Sequence, residues 1–307
     1  NNLGEVSELS KLVKPHYVII TEVSIGHVEG LKNLKNILRE KASICDGQKY
    51  NGFALIPSDT KTYADLQKEV TSLGSRAISF GKRNSPNYKI TNFRVNSSGS
   101  KATILLPKGK KFTFSLSAFG EHHVRNASSI LALLCLMDLE LERSIPILSS
   151  WSPSQGRGER LEINFYKSGK PVRFTLIDES YNANPLSMIS AIKNMSYFSK
   201  SKCHRKFAFF GDMLELGKNS QKLHRSLSTT INKSGIDKVF VHGNYIEETF
   251  NSLSRNKKGK IFKNLDEAYS HFGKILHNND LLMVKGSNAT GLNQFSKNIK
   301  KGQVSVI

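Results

Sequence analysis

The chain has 307 residues, 38% of them hydrophobic, which suits about two domains at the usual ~100–200 residues each and excludes a disordered chain or a stapled mini-scaffold. Forty-five Lys and Arg against 25 Asp and Glu leave a formal charge of +20, which raises nucleic acid or acidic substrates as partners. The cations are spread along the chain in polar turns such as Lys108 to Lys111 and Arg255 to Lys260, with no aromatic-interleaved basic motif, so nucleic-acid binding is disfavoured against a general Lys and Asn bias.

The run YVIITEV, Tyr17 to Val23, is β-branched and predicts a buried strand. A helix over 31–45, a strand at 53–56, a helix over 63–73 and a strand at 77–80 follow, an alternation that signals a parallel sheet covered by helices. Between Tyr88 and Ser117 short segments broken by Ser-Gly and Lys-Gly turns read as antiparallel hairpins, and a mostly apolar helix is predicted over 122–141. The stretch SSWSPSQGRG, Ser149 to Gly158, is the best linker, which sets domains at 1–150 and 151–307. Beyond it, strands at 173–177, 207–210, 238–241, 260–262 and 281–284 alternate with helices near 186–198, 221–234, 245–253, 266–276 and 292–299. That pattern predicts a doubly wound α/β sheet. The apolar stretch from Ile130 to Leu141 is interrupted by Asp138 and Glu140 and falls short of the ~20 residues a membrane helix needs. Cys45, Cys135 and Cys203 have no metal-ligand or CxxC spacing, so a reducing, cytoplasmic setting is expected.

In open parallel sheets ligands bind beyond the carboxyl ends of the strands, where helix N-termini and loop amides converge. The polar motifs of the second domain fall at those ends: DESYNANP (Asp178 to Pro185), GDMLELG (Gly211 to Gly217), HGN (His242 to Asn244) and KGSNATG (Lys285 to Gly291). Helix capping accounts for Asn184, which precedes Pro185, but not for acidic and basic groups gathered on one rim. Lys41 shares a helical stripe with Leu34, Ile37, Leu38 and Ile44, so partial burial is expected. Burial lowers a lysine pKa, and the neutral amine can take up carbon dioxide to give a carbamate, an oxygen ligand suited to Mg²⁺. On these residues alone, snorkelling of the ammonium to water is favoured over that chemistry. His27 sits in a Gly-flanked loop a few residues beyond a strand, and Arg157 of GRG lies in the linker, where a guanidinium could bridge to phosphate. No G-x-x-x-x-G-K-[ST] phosphate loop is present, so this chain alone has no evident cradle for a triphosphate, and the absence of GxGxxG argues against a dinucleotide oxidoreductase.

Taken in order, NNLGEVSELSKLVKPHYVIIT, HVEG, REKASI, GEHHVRNA, GRGE, DESYNANPLSM, GDMLELG and VKGS resemble the Mur ligases of peptidoglycan synthesis, and SYNANP with GDMLELG resembles the branch whose acceptor is D-alanyl-D-alanine. The resemblance covers essentially the whole chain. It implies a partial central ATPase domain, with a mostly parallel sheet plus antiparallel hairpins, followed by a Rossmann-like C-terminal domain. The first residue is Asn1 rather than methionine, and together with the missing phosphate loop this gives the expectation of a fragment inactive alone. The implied reaction is ATP-dependent ligation of D-alanyl-D-alanine to UDP-N-acetylmuramoyl-tripeptide through an acyl phosphate, with ATP and Mg²⁺ as cofactors and a monomeric cytoplasmic enzyme. The resemblance assigns His27 and carbamylated Lys41 to the metal, and Asn126 and His123 to the adenine. Arg157 falls to the ATP phosphates and Glu179 to the ribose. Asn182, Asn184, Asp212, Glu215, Lys285 and Ser287 fall to the dipeptide site. His123 stands where the family has asparagine, Glu179 where it has aspartate, Glu22 where it has asparagine and Asn288 where it has arginine. Alternatives from the residues are another Mur-type or folylpolyglutamate synthetase-like ligase, or a non-catalytic basic nucleic-acid-binding remnant.

Overall fold

The computed structural model describes residues 2–24, 28–49, 51–199 and 203–302, and the chain divides into two compact units, Asn1–Trp151 and Ser152–Ile307. The first unit runs α1 (Glu5–Val13), β1 (Tyr17–Ile19), α2 (Val28–Leu31), α3 (Leu34–Ala42), β2 (Phe53–Pro57), α4 (Tyr63–Ser72), β3 (Arg76–Gly81), β4 (Tyr88–Asn96), β5 (Gly99–Leu105), β6 (Lys111–Leu116), α5 (Glu121–Leu136) and α6 (Ile145–Ser150). Its six strands form one sheet in sequence order. The pairs from β1 to β4 are parallel and those from β4 to β6 antiparallel. Burial follows from this change. Strand β2 is covered on both faces and reads as a continuous apolar run, whereas β6 alternates exposed and buried residues as a strand with one wet face must. Ala54 and Ile56 of β2 join the core that holds Ile37 and Leu38 of α3 and Leu66 and Val70 of α4. Leu55, pointing the other way, joins Ile104, Phe114 and the α5 residues Val124 and Leu131.

Two predicted helices are shorter than expected. The stretch 31–45 is broken because Lys32 takes a left-handed φ of 65° and Asn33 then starts a new helix, its side chain accepting the Asn36 N–H at 2.9 Å. The stretch 122–141 ends at Leu136, with Asp138 left-handed at φ 56°. The first strand is also shorter, its ladder to β2 ending at the pair Ile19 and Leu55.

The second unit runs β7 (Glu159–Lys167), β8 (Lys170–Glu179), α7 (Pro185–Asn194), β9 (Lys206–Gly211), α8 (Ser220–Asn232), β10 (Lys238–His242), α9 (Ile246–Asn251), β11 (Lys258–Ile261), α10 (Leu265–Ile275), β12 (Leu281–Lys285) and α11 (Leu292–Lys300). Strand β7 is absent from the sequence reading. It pairs antiparallel with β8 through a two-residue turn at Ser168 and Gly169, both with positive φ, and buries Ile163 and Phe165. The order is β11-β10-β9-β12-β8-β7, parallel from β11 to β8. From β8 the chain steps outward through β9 and β10 to β11, then returns to place β12 between β9 and β8. With right-handed crossovers, α7, α8 and α9 cover one face, and α10 and α11 the other. Accordingly α7 packs on α8 and α8 on α9, while α10 packs on α11. Phe209 anchors the second face, its ring 4.9 Å from that of Phe295 and 5.4 Å from that of Phe272. The reversal at β12 opens a crevice beyond the carboxyl ends of β8, β12 and β9.

Candidate functional site

Three loops meet at that crevice, those following β8, β9 and β12. Parallel pairing puts Lys285, the last residue of β12, opposite Glu179, the last of β8. The Lys285 side chain is 2% exposed; its Nζ donates to the Asn182 carbonyl at 2.9 Å and lies 3.3 Å from a Glu179 carboxylate oxygen. A buried ammonium needs such partners, because unpaired burial of a charge is costly. Lys285 therefore ties the 179–182 loop to the strand end. Gly286 follows because a Cβ there would lie 2.8 Å from Thr290 Oγ1 and 3.2 Å from the Gly211 Cα; the ends of β12 and β9 approach too closely for a side chain.

Ser287 and Asp212 are also turned inward. Ser287 Oγ accepts the Leu214 N–H at 2.9 Å, and its own N–H donates to the Asp212 carbonyl at 3.0 Å. The Asp212 carboxylate accepts the N–H groups of Asn244, Tyr245 and Ile246 at 3.0, 3.0 and 2.7 Å, so it caps the N-terminus of α9. Asn184 is likewise spent on a helix start: its side chain accepts the Ser187 N–H at 2.8 Å, and the Ser187 hydroxyl returns to the Asn184 N–H. On this rim Asn182 and Glu215 are solvent-exposed, the Asn182 Oδ1 accepting the Ala183 N–H at 2.8 Å and Glu215 held at a left-handed φ of 62°, with Asn288 beside the Lys285 loop.

His224 is a member of the site that sequence reasoning missed. Its Nε2 accepts the Met213 N–H at 2.9 Å and its Nδ1 lies 2.7 Å from the Ser220 carbonyl, so the ring is neutral with the proton on Nδ1. Burial lowers its pKa below the ordinary 6.5, more than the Ser220 carbonyl and Asp212 raise it. The signal lay in an apolar stripe on α8, with buried Leu227 and Ile231 at helical spacing from His224. At the other margin Lys300 of α11 donates to Asp178 at 2.7 Å and to Glu159 at 2.5 Å. Burial is the largest single influence and lowers the Lys300 pKa, but the two carboxylates together lift it above the usual lysine value. Arg157 is exposed, its guanidinium 4.1 Å from the centre of the Tyr181 ring. Gly158 donates to the Asp178 carbonyl at 2.8 Å and Tyr181 to the Gly156 carbonyl at 3.0 Å, so the GRG loop is fixed at both ends while its cation stays in solvent.

In the first unit Lys41 is exposed, as the snorkelling favoured from the sequence requires; α3 turns Ile37, Leu38, Glu40 and Ala42 inward. Glu40 occupies the inner place because its carboxylate accepts the Gly4 N–H at 2.7 Å and the Val6 N–H at 2.8 Å, closing the positive end of α1. The protein around Lys41 still withdraws enough water to lower its pKa, while the Glu22 carboxylate raises it. Glu22 also receives Arg125 Nη2 of α5 at 2.5 Å. Asn126 is exposed on α5, and His123, three residues earlier, is 9% exposed with its ring 3.9 Å from that of His122. His27 lies outside the described residues. Among the described residues no three His, Cys, Asp or Glu side chains gather as a metal cage, and no helix is long and apolar enough to cross a membrane.

Residues 1–134 match the Mur ligase middle domain, and residues 159–288 match the domain described as Mur ligase, glutamate ligase domain. The chain is 30% identical over 290 residues to a UDP-N-acetylmuramoyl-tripeptide–D-alanyl-D-alanine ligase of Buchnera aphidicola subsp. Baizongia pistaciae, covering 94% of this chain and 59% of that protein. It is 27% identical over 296 residues to the protein of that name from Rickettsia prowazekii, covering 96% of this chain and 63% of the other. The chain thus spans about three-fifths of the length of these relatives. Its fold is similar to that of MurF from Acinetobacter baumannii, with a TM-score of 0.81 at 21% identity, covering 98% of this chain and 63% of that one. MurF from Thermotoga maritima, solved with ADP, gives 0.80 at 21% identity, covering 98% and 65%. With two Mur ligase domains matched in order across most of its length, on two mostly parallel α/β sheets of that architecture, the chain belongs to the Mur ligase family and carries its middle and C-terminal domains.

Proposed function

We propose that this chain is the middle and C-terminal part of an ATP-dependent ligase that joins D-alanyl-D-alanine to UDP-N-acetylmuramoyl-tripeptide in peptidoglycan synthesis. The observation that carries the reading is the single name shared by relatives matched over nearly the whole chain, SYNANP and GDMLELG included. In the proposed reaction the terminal carboxylate of the tripeptide accepts the γ-phosphoryl group of ATP and becomes an acyl phosphate, with ADP released. The dipeptide amine attacks the acyl carbon and loses a proton, and the tetrahedral intermediate expels phosphate to leave the amide. Such a sequence needs donors and cations where oxygen gains charge, and exclusion of water from the mixed anhydride.

The residues divide these tasks. Arg157, exposed and steadied on Tyr181, is assigned to phosphate oxygens, and Glu179, its carboxylate held by Lys285, to the ribose. Asn126 and His123 are assigned to the adenine. Asn182 and Glu215, both exposed, are assigned to the dipeptide, with Asp212, Asn184, Ser287 and Lys285 holding the loops that present them. For Mg²⁺ the donor chemistry fits. Lys41, whose ammonium is disfavoured by desolvation, would bind as a carbamate through oxygen, and His27 would supply an imidazole. A bound Mg²⁺ would neutralise charge on the phosphate oxygens. The test is ADP release from ATP with UDP-linked tripeptide, on this chain and on the longest form its gene encodes, comparing D-alanyl-D-alanine with single amino acids as acceptor. Release that depends on the dipeptide supports the reading. Release with a single amino acid instead moves the enzyme to another branch of the family.

A further inference from the structure

The chain has one tryptophan, Trp151, and it is 44% exposed. It follows α6 directly, and Ser117 Oγ donates to its carbonyl. The indole is not loose on the surface. It meets the His123 ring edge-on at a centroid distance of 5.3 Å and an interplanar angle of 64°, and His123 in turn lies against His122 at 3.9 Å. Two imidazoles on the first turn of α5 thus brace a large aromatic ring that keeps nearly half its surface in water. Trp is highly buried on average, and a braced, solvent-facing indole has the form of a stacking platform. Asn126 stands three residues beyond His123, on the same side of the helix, and is exposed. Its amide offers a donor and an acceptor together, the pair that reads the N6 and N7 edge of adenine.

We propose that Trp151 is the stacking face for the purine base of the nucleotide, with His123 fixing the indole from behind and Asn126 reading the base edge. This rests on the nucleotide reading given above and deepens it. It moves His123 from a contact with adenine to a positioning residue, in keeping with its burial.

The single tryptophan makes the experiment direct. ADP, adenosine and pyrophosphate are titrated into the 307-residue chain, following indole emission and, separately, heat of binding. The inference expects emission to change with ADP and adenosine and not with pyrophosphate. In Trp151→Ala the calorimetric Kd for ADP rises about five- to a hundred-fold, the range of a lost base–aromatic stack, while Trp151→Phe retains most of the affinity. Circular dichroism of both variants checks that they fold. ADP binding with unchanged emission and an unaltered Kd in Trp151→Ala overturns the stacking role and leaves the nucleotide site standing. No heat and no change of emission with ADP or adenosine in the parent chain overturns the stacking role; ADP titrated into the longest form the gene encodes then decides the nucleotide reading separately.

Discussion

The crevice of the second unit and the α3–α5 end of the first are built on opposite plans. In the crevice most of the motif side chains are consumed by the protein: Lys285 by Glu179 and a carbonyl, Asp212 by three amides, Asn184 by a capping box. At the other end Lys41, Asn126 and Trp151 face solvent. The first plan spends most polar groups on tying the loops together, with Asn182 and Glu215 left exposed. The second leaves several side chains in solvent and sets neighbours against others, Arg125 on Glu22 and His123 against Trp151.

Substitutions in the two regions therefore separate sharply. The largest effect is expected at Lys285→Met, which strands Glu179 and the Asn182 carbonyl; urea unfolding should show a loss of about 3 kcal/mol, the range for breaking one partner of a buried pair. A loss of under about 0.5 kcal/mol would place Lys285 among the open contacts after all. Asp212→Ala removes a charged acceptor from three N–H groups and should cost about 2 kcal/mol, measured the same way, with Asp212→Asn retaining part of it.

Acid titration gives a smaller and more local effect. The folded protein holds His224 neutral below the ordinary 6.5, and unfolding returns it to that value. Stability is thus full above about pH 6.5 and falls as the pH drops from there toward the lowered folded value, by at most about 1.4 kcal/mol per pH unit for this one group. In His224→Gln that part of the slope should disappear. An unchanged slope would show that the Met213 N–H does not depend on the neutral ring. The smallest effect is expected at Asn126→Ala and Lys41→Ala, which should stay within about 0.5 kcal/mol of the parent in unfolding, because neither side chain is spent on the fold. A larger loss at either would erase the contrast between the two regions.

Much of the architecture was legible because it follows from period and punctuation. The β-strands of the second unit are short apolar runs ended by Gly, Asp or Asn, and the covering helices repeat at helical spacing, so the doubly wound sheet could be read before it was seen. Strand β7 escaped because its alternating Leu161, Ile163 and Phe165 follow directly on the Ser, Pro and Gly of the linker, and it pairs at an edge rather than in the apolar middle. The break in the helix predicted over 31–45 escaped because it depends on one left-handed residue, Lys32, that is neither Gly nor Asn. At the site, the motifs were found but their division of labour was not. Whether Asp212 meets a ligand or a helix terminus depends on where Asn244 to Ile246 come to rest, about thirty residues away. Burial of Glu40 in place of Lys41 has the same cause, since the helix it caps begins at Glu5.

The most direct measurement of the ligase reading follows an atom. The tripeptide is prepared with heavy oxygen in its terminal carboxylate and converted by the longest form the gene encodes, with ATP, Mg²⁺ and D-alanyl-D-alanine. The released phosphate is then weighed by mass spectrometry. An acyl phosphate predicts that each phosphate carries one heavy oxygen from the carboxylate, in step with amide formed. Amide formed with unlabelled phosphate would contradict the mechanism proposed for this chain.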